Sequence, residues 1–138
     1  MPRRTKSFLS QPKAWQLVLA IYWLALFVAT HLPKTQTLGT ANQLDKLVHA
    51  AAFAGLALLL ATTWQLSAGR LIGHHLRAAW IVLVCYAALD EWTQTFAGRD
   101  ASLADWLADA AGAALGLALF AWLNRRGRES FATGNRND

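Results

Sequence analysis

The sequence predicts an all-α fold, an integral membrane four-helix bundle with its N-terminus and C-terminus both cytoplasmic. Three observations carry this reading. Four apolar segments come close to the length of a bilayer crossing, the charged residues gather at the ends of those segments, and Lys and Arg are unequally shared between the two sides. Of 138 residues, 55% are hydrophobic and only 15% charged, where a soluble domain carries about a quarter charged. The mean hydropathy is +0.26 and the isoelectric point about 10.0. A nucleic-acid-binding domain of that basicity lines its cations along one face. Here they flank apolar runs, which excludes nucleic acid as a partner and points to membrane lipids with anionic headgroups.

A helix needs roughly 20 mostly apolar residues to cross a hydrocarbon core of about 30 Å. Residues 1–13 read as a basic cytoplasmic N-terminus, followed by a membrane domain over 14–123. The first span is Ala14–Thr30, bounded by Lys13 and by His31-Leu32-Pro33-Lys34. No small-residue cleavage site precedes that break, so the segment reads as a retained span and not as a signal peptide. The second span is Leu47–Leu66, the third Ala78–Phe96 and the fourth Leu103–Leu123. The polar stretch 124–138 lacks periodicity and is expected to be disordered. Cys85, the one cysteine, has no partner for an internal disulfide and is expected to be a buried, inert thiol.

Lys and Arg in short loops set orientation. The N-terminus, the loop between spans two and three, and the C-terminal tail together hold ten, including Arg3, Arg4, Arg70, Arg77, Arg125 and Arg126. The other side holds three: Lys34, Lys46 and Arg99. Tryptophan favours the two interfaces. Trp15, Trp64, Trp80 and Trp122 fall at cytoplasmic ends, Trp92 and Trp106 near outer ends, and Trp23 lies mid-span.

With this threading, polar residues from separate stretches arrive at the outer side. Asp45, Lys46 and His49 open span two, Asp90, Glu91 and Gln94 close span three, Arg99 lies in the following loop, and Asp105 and Asp109 open span four. Residues three or four apart share a helical face. Asp45 with His49, Asp90 with Gln94, and Glu91 with Gln94 therefore pair on their helices, and Asp105, Asp109, Gly112 and Gly116 form one stripe. Gly112 and Gly116 make a GxxxG, extended upstream by Ala108, of the kind that lets helix backbones approach closely in lipid. A charge facing lipid costs about 2.5 kcal/mol or more at mid-bilayer. The expectation is therefore a polar, extracytoplasmic-facing ligand cavity walled by Asp45, Lys46, His49, Glu91, Gln94, Arg99, Asp105 and Asp109. The plainer alternatives are an Asp45 that caps span two and an Asp105 that completes a capping box with Ser102.

His49, Asp45, Glu91, Asp105 and Asp109 have metal-ligating atoms, but there is no HExxH or CxxC, and His49 reads as the only histidine of the outer side. Neither a metal nor a cofactor is expected. No nucleophile elbow, P-loop or dinucleotide fingerprint is present.

Asp45-Lys46-Leu47-Val48-His49 with Phe53, then Asp90-Glu91-x-x-Gln94, Gly98-Arg99 and Asp105-x-x-x-Asp109-x-x-Gly112-x-x-x-Gly116, resemble the VanZ-like family from about Leu44 to Leu123. That family usually shows Asn where this chain has Asp109. The resemblance implies bacterial origin, a multi-pass place in the plasma membrane and a link by analogy with resistance to the glycopeptide teicoplanin. The leading functional expectation is a non-enzymatic envelope factor that binds a lipid headgroup, a cell-wall precursor or an anionic polymer. A second is a membrane-embedded enzyme using Glu91, Asp105 or His49 as acid or base on a lipid or glycan. A third is a proton- or ion-coupled transporter, and the glycine stripe offers a contact for an oligomer.

Overall fold

The computed structural model describes residues 11–32 and 41–134. It is all-helical. Helix α1 spans Pro12–His31, α2 Ala41–Ala68, α3 Gly73–Gln94 and α4 Leu103–Gly134, with a 3-10 turn at Thr95–Ala97. Each boundary has a local cause. Pro12 takes the first position of α1, where its missing N–H costs nothing, after an extended Gln11. The chain leaves α2 at Gly69, φ 86°, and leaves the 3-10 turn at Gly98, φ 75°, both in the left-handed region that favours glycine. Ser102 Oγ accepts the Asp105 N–H at 3.2 Å and so caps α4.

The most extensive interface joins α2 to α4, and the glycine stripe explains it. A Cβ on Gly112 would overlap the Ala50 carbonyl, and one on Gly116 would overlap the Ala54 carbonyl. The two backbones therefore meet where side chains are absent, and the face of α4 that carries Asp105 and Asp109 turns inward. Towards the other end the core is apolar: Leu56, Ala57 and Ala61 of α2, Leu83 of α3, and Leu117 and Phe120 of α4. Helix α1 packs more loosely. Tyr22 donates to the Ala52 carbonyl at 2.9 Å, while Leu17, Ile21, Leu24 and Val28 form an exposed stripe.

Among the described residues, three helical stretches are long and apolar enough to cross a membrane: Pro12–His31, Gln43–Ala68 and Leu103–Gly127. The sequence reading counted four. Helix α3 has the length, with 22 residues, but its composition is diluted by Arg77, Asp90, Glu91 and Gln94. Asp90, Glu91 and Gln94 are buried against neighbouring helices, whereas Trp80, Ile81, Val82, Leu89 and Trp92 are exposed. An average over α3 merges these two faces.

Several expectations are corrected. The tail expected to be disordered from residue 124 continues as α4 to Gly134. Asn124 donates to the Phe120 carbonyl at 2.9 Å and accepts from Gln65 at 2.8 Å, and the Arg126 guanidinium lies 4.1 Å from the Trp122 ring centre. The helix is thus held past the apolar run. Residues 135–138, most of the basic N-terminus and Lys34 lie outside the described residues. Cys85, expected buried, is exposed on α3. Asp45 does not cap α2, because that helix already begins at Ala41.

Candidate functional site

At the end of the molecule where α3 gives way to α4, the buried ionisable side chains His49, Asp90, Glu91, Asp105 and Asp109 gather into two adjoining networks. The first joins α2, α3 and α4. His49 Nδ1 lies 3.1 Å from Asp109 Oδ1, and their side chains are 6% and 0% exposed. Ligand atoms of His49, Glu91 and Asp109 all fall within 4.8 Å of one another, as do those of Asp45, His49 and Asp105. Glu91 Oε2 accepts the Ser102 N–H at 2.8 Å. Two oxygens stand out. Glu91 Oε1 and Asp109 Oδ2 are buried and have no hydrogen-bond partner among the described residues. Most buried polar atoms in proteins are paired.

The Ser102 contact revises the capping box expected from Ser102 and Asp105. Ser102 Oγ does serve the Asp105 N–H. The return bond, to the Ser102 N–H, comes from Glu91 on α3. A buried carboxylate in the last turn of one helix thus fixes the start of the next.

The second network is centred on Asp90 and ties α1 to α3. Asp90 Oδ2 accepts from Gln94 Nε2 at 2.9 Å, and Asp90 Oδ1 accepts from Thr30 Oγ1 at 3.2 Å and from Tyr86 at 3.4 Å. His31 Nε2 lies 3.0 Å from Thr93 Oγ1, and His31 Nδ1 lies 3.9 Å from Asp90 Oδ1. The Arg99 guanidinium donates to the Thr30 carbonyl. Tyr86 also stacks on Phe53, ring centres 5.8 Å apart, which connects this network to the core.

A family model described as VanZ/LLP1 matches residues 4–124. The chain belongs to the VanZ/LLP1 family. No curated protein and no solved structure matches it. The family, together with the three apolar helices, makes this a VanZ-like membrane protein.

In this VanZ/LLP1 chain, Asp45, His49, Glu91, Asp105 and Asp109 come together, while Gln94 and Arg99 belong instead to the Asp90 network. Lys46 is half-buried on α2. The sequence reading set Asp90 among the outer polar residues but left it out of the site. It passed over Tyr86 and Thr30, and it counted His49 alone where His31 also reaches this end of the bundle, against Thr93 and Asp90. The i, i+4 spacing of Asp90 and Gln94 was the available signal. Thr30 and His31 gave none, because only tertiary packing brings the end of α1 to α3. The polar residues expected to wall an open cavity are packed and mostly buried. A cleft of about 500 Å³ lies at the opposite end, where Gln65, Arg70, Ile72, Phe120 and Asn124 are among its walls.

Proposed function

We propose that this VanZ/LLP1 chain is a four-span plasma-membrane protein with cytoplasmic termini, acting as an envelope factor. Its polar cluster would lie in the extracytoplasmic half and bind a lipid headgroup, cell-wall precursor or anionic polymer. The observation that carries this reading is the pair of buried carboxylate oxygens, Glu91 Oε1 and Asp109 Oδ2, that have no hydrogen-bond partner among the described residues and lie beside His49. Buried acceptors without donors are costly. A ligand that brings hydroxyl donors, as a glycerol or sugar headgroup does, satisfies them. The apolar stripe of α1 and the exposed face of α3 suit surrounding lipid and leave the polar end as the place for recognition.

The test is photo-crosslinking in native membranes, using a photoactivatable glycerophospholipid and a photoactivatable lipid-linked sugar precursor. The expected result is adduct on peptides from the starts of α2 and α4 with one of these probes, and loss of that adduct in Asp109→Ala. Equal labelling of wild type and variant contradicts the reading.

A second reading, a membrane-embedded enzyme with Glu91, Asp105 or His49 as acid or base, draws support from the 3.1 Å contact between His49 and Asp109. A carboxylate that orients an imidazole is a common arrangement for a general base. Turnover of a candidate lipid or glycan that survives Glu91→Gln excludes Glu91 from that chemistry, and loss of turnover supports it.

A further inference from the structure

We infer that His49, Glu91 and Asp109 form a binding site for one divalent metal ion of the Zn²⁺ or Mn²⁺ class. Three helices each supply one ligand: α2 the imidazole, α3 and α4 the carboxylates. Their ligand atoms all lie within 4.8 Å of one another. Metal–ligand bonds of about 2.0–2.2 Å place two ligands on opposite sides of an ion about 4.4 Å apart at most. The three atoms therefore close on an ion through small side-chain adjustments.

The independent observation is the pair of orphaned oxygens. Glu91 and Asp109 are 5% and 0% exposed, and each keeps one oxygen with no hydrogen-bond partner among the described residues. Glu91 Oε2 is held by the Ser102 N–H, an outer contact of the kind that orients metal ligands, and His49 Nδ1 already lies 3.1 Å from Asp109 Oδ1. Metal binding requires deprotonated ligands, and in that form two carboxylates and an imidazole match the charge of a divalent ion. A mixed nitrogen and oxygen set without thiolate suits Zn²⁺ or Mn²⁺ better than Cu⁺, which prefers sulfur. Asp45 and Asp105 approach the same imidazole and add negative potential around the ion.

The site coincides with the one proposed for envelope ligands and rests on that reading for what the ion does: the ion takes the two orphaned oxygens in place of ligand hydroxyls and gives an acidic cluster a means to hold a phosphate or carboxylate group. Metal binding itself is testable without any such ligand. The full chain, purified in detergent and stripped with EDTA, is dialysed against Zn²⁺ or Mn²⁺ alone. Bound metal is then measured by mass spectrometry and affinity by calorimetry. The expected result is one ion per chain, with affinity reduced roughly tenfold or more in Glu91→Gln and in Asp109→Asn. The exposed loop variant Asp100→Asn retains wild-type affinity. Circular dichroism and a monodisperse elution profile establish that each variant is folded, and His49→Gln replaces any that is not. Absence of a stoichiometric ion in wild type, or equal affinity in wild type and the ligand variants, overturns the inference. Because no envelope ligand is present, crosslinking can fail while metal binding stands, and the reverse.

Discussion

Asp90 illustrates how much a single buried group can organise. Its two oxygens accept from Thr30, Tyr86 and Gln94, so one carboxylate joins the end of α1 to the last turns of α3. Removing it strands the buried Gln94 amide and takes an acceptor from the part-buried Tyr86, while Thr30 keeps the Phe27 carbonyl at 2.9 Å; a stranded buried group costs about 1–3 kcal/mol. Asp90→Ala is therefore expected to destabilise the protein by at least about 1 kcal/mol, measured as a lower midpoint of SDS unfolding in mixed micelles. Asp90→Asn keeps the shape and is expected to lose less. Ser102 offers a second residue-scale test. Its hydroxyl caps α4, and loss of such a cap costs about 1 kcal/mol. Ser102→Ala should lower the same midpoint modestly, with helical content preserved. At this scale the sequence was informative where residues sit at helical spacing, as Asp45 with His49 and Asp105 with Asp109 do. It was silent on which carboxylate reaches which donor: Glu91 serving Ser102 is a tertiary contact between α3 and the start of α4.

The GxxxG of α4 is the clearest link from sequence to the packing of elements. Gly112 and Gly116 were legible as a close-approach stripe, and the Ala50 and Ala54 carbonyls of α2 lie against them. Gly112→Val drives a branched side chain into backbone that has no flexible end to yield. Overpacking of this kind costs typically about 1–3 kcal/mol, and here it also displaces His49 from Asp109. The expected outcome is a lower unfolding midpoint together with weakened metal binding, whereas Gly127→Ala, which meets open space, leaves both unchanged. Helix ends were less legible than helix centres. The α2 start at Ala41 and the α4 extension to Gly134 lie beyond the apolar runs that marked the spans, because capping and side-chain contacts continue a helix after hydropathy has ended.

For the whole molecule, the arrangement is asymmetric from end to end. The buried ionisable groups collect at one end and the apolar core fills the other. That all-helical layout was readable in composition and in the order of apolar and polar segments. The status of α3 was not decided by composition, because its polar residues face inward while its exposed face is apolar. If α3 crosses the membrane as proposed, reporters fused to residues 1 and 138 both report cytoplasm. Reporters on opposite sides would require an odd number of crossings.

The proposed function requires the polar end to face out of the cell. Asp100 sits exposed in the loop between α3 and α4, beside that end. With Cys85 replaced by alanine, Asp100→Cys provides a single thiol for a membrane-impermeant maleimide. Labelling in intact spheroplasts, blocked by prior treatment with an impermeant thiol reagent, is the predicted result. Labelling that appears only after the membrane is permeabilised would contradict it.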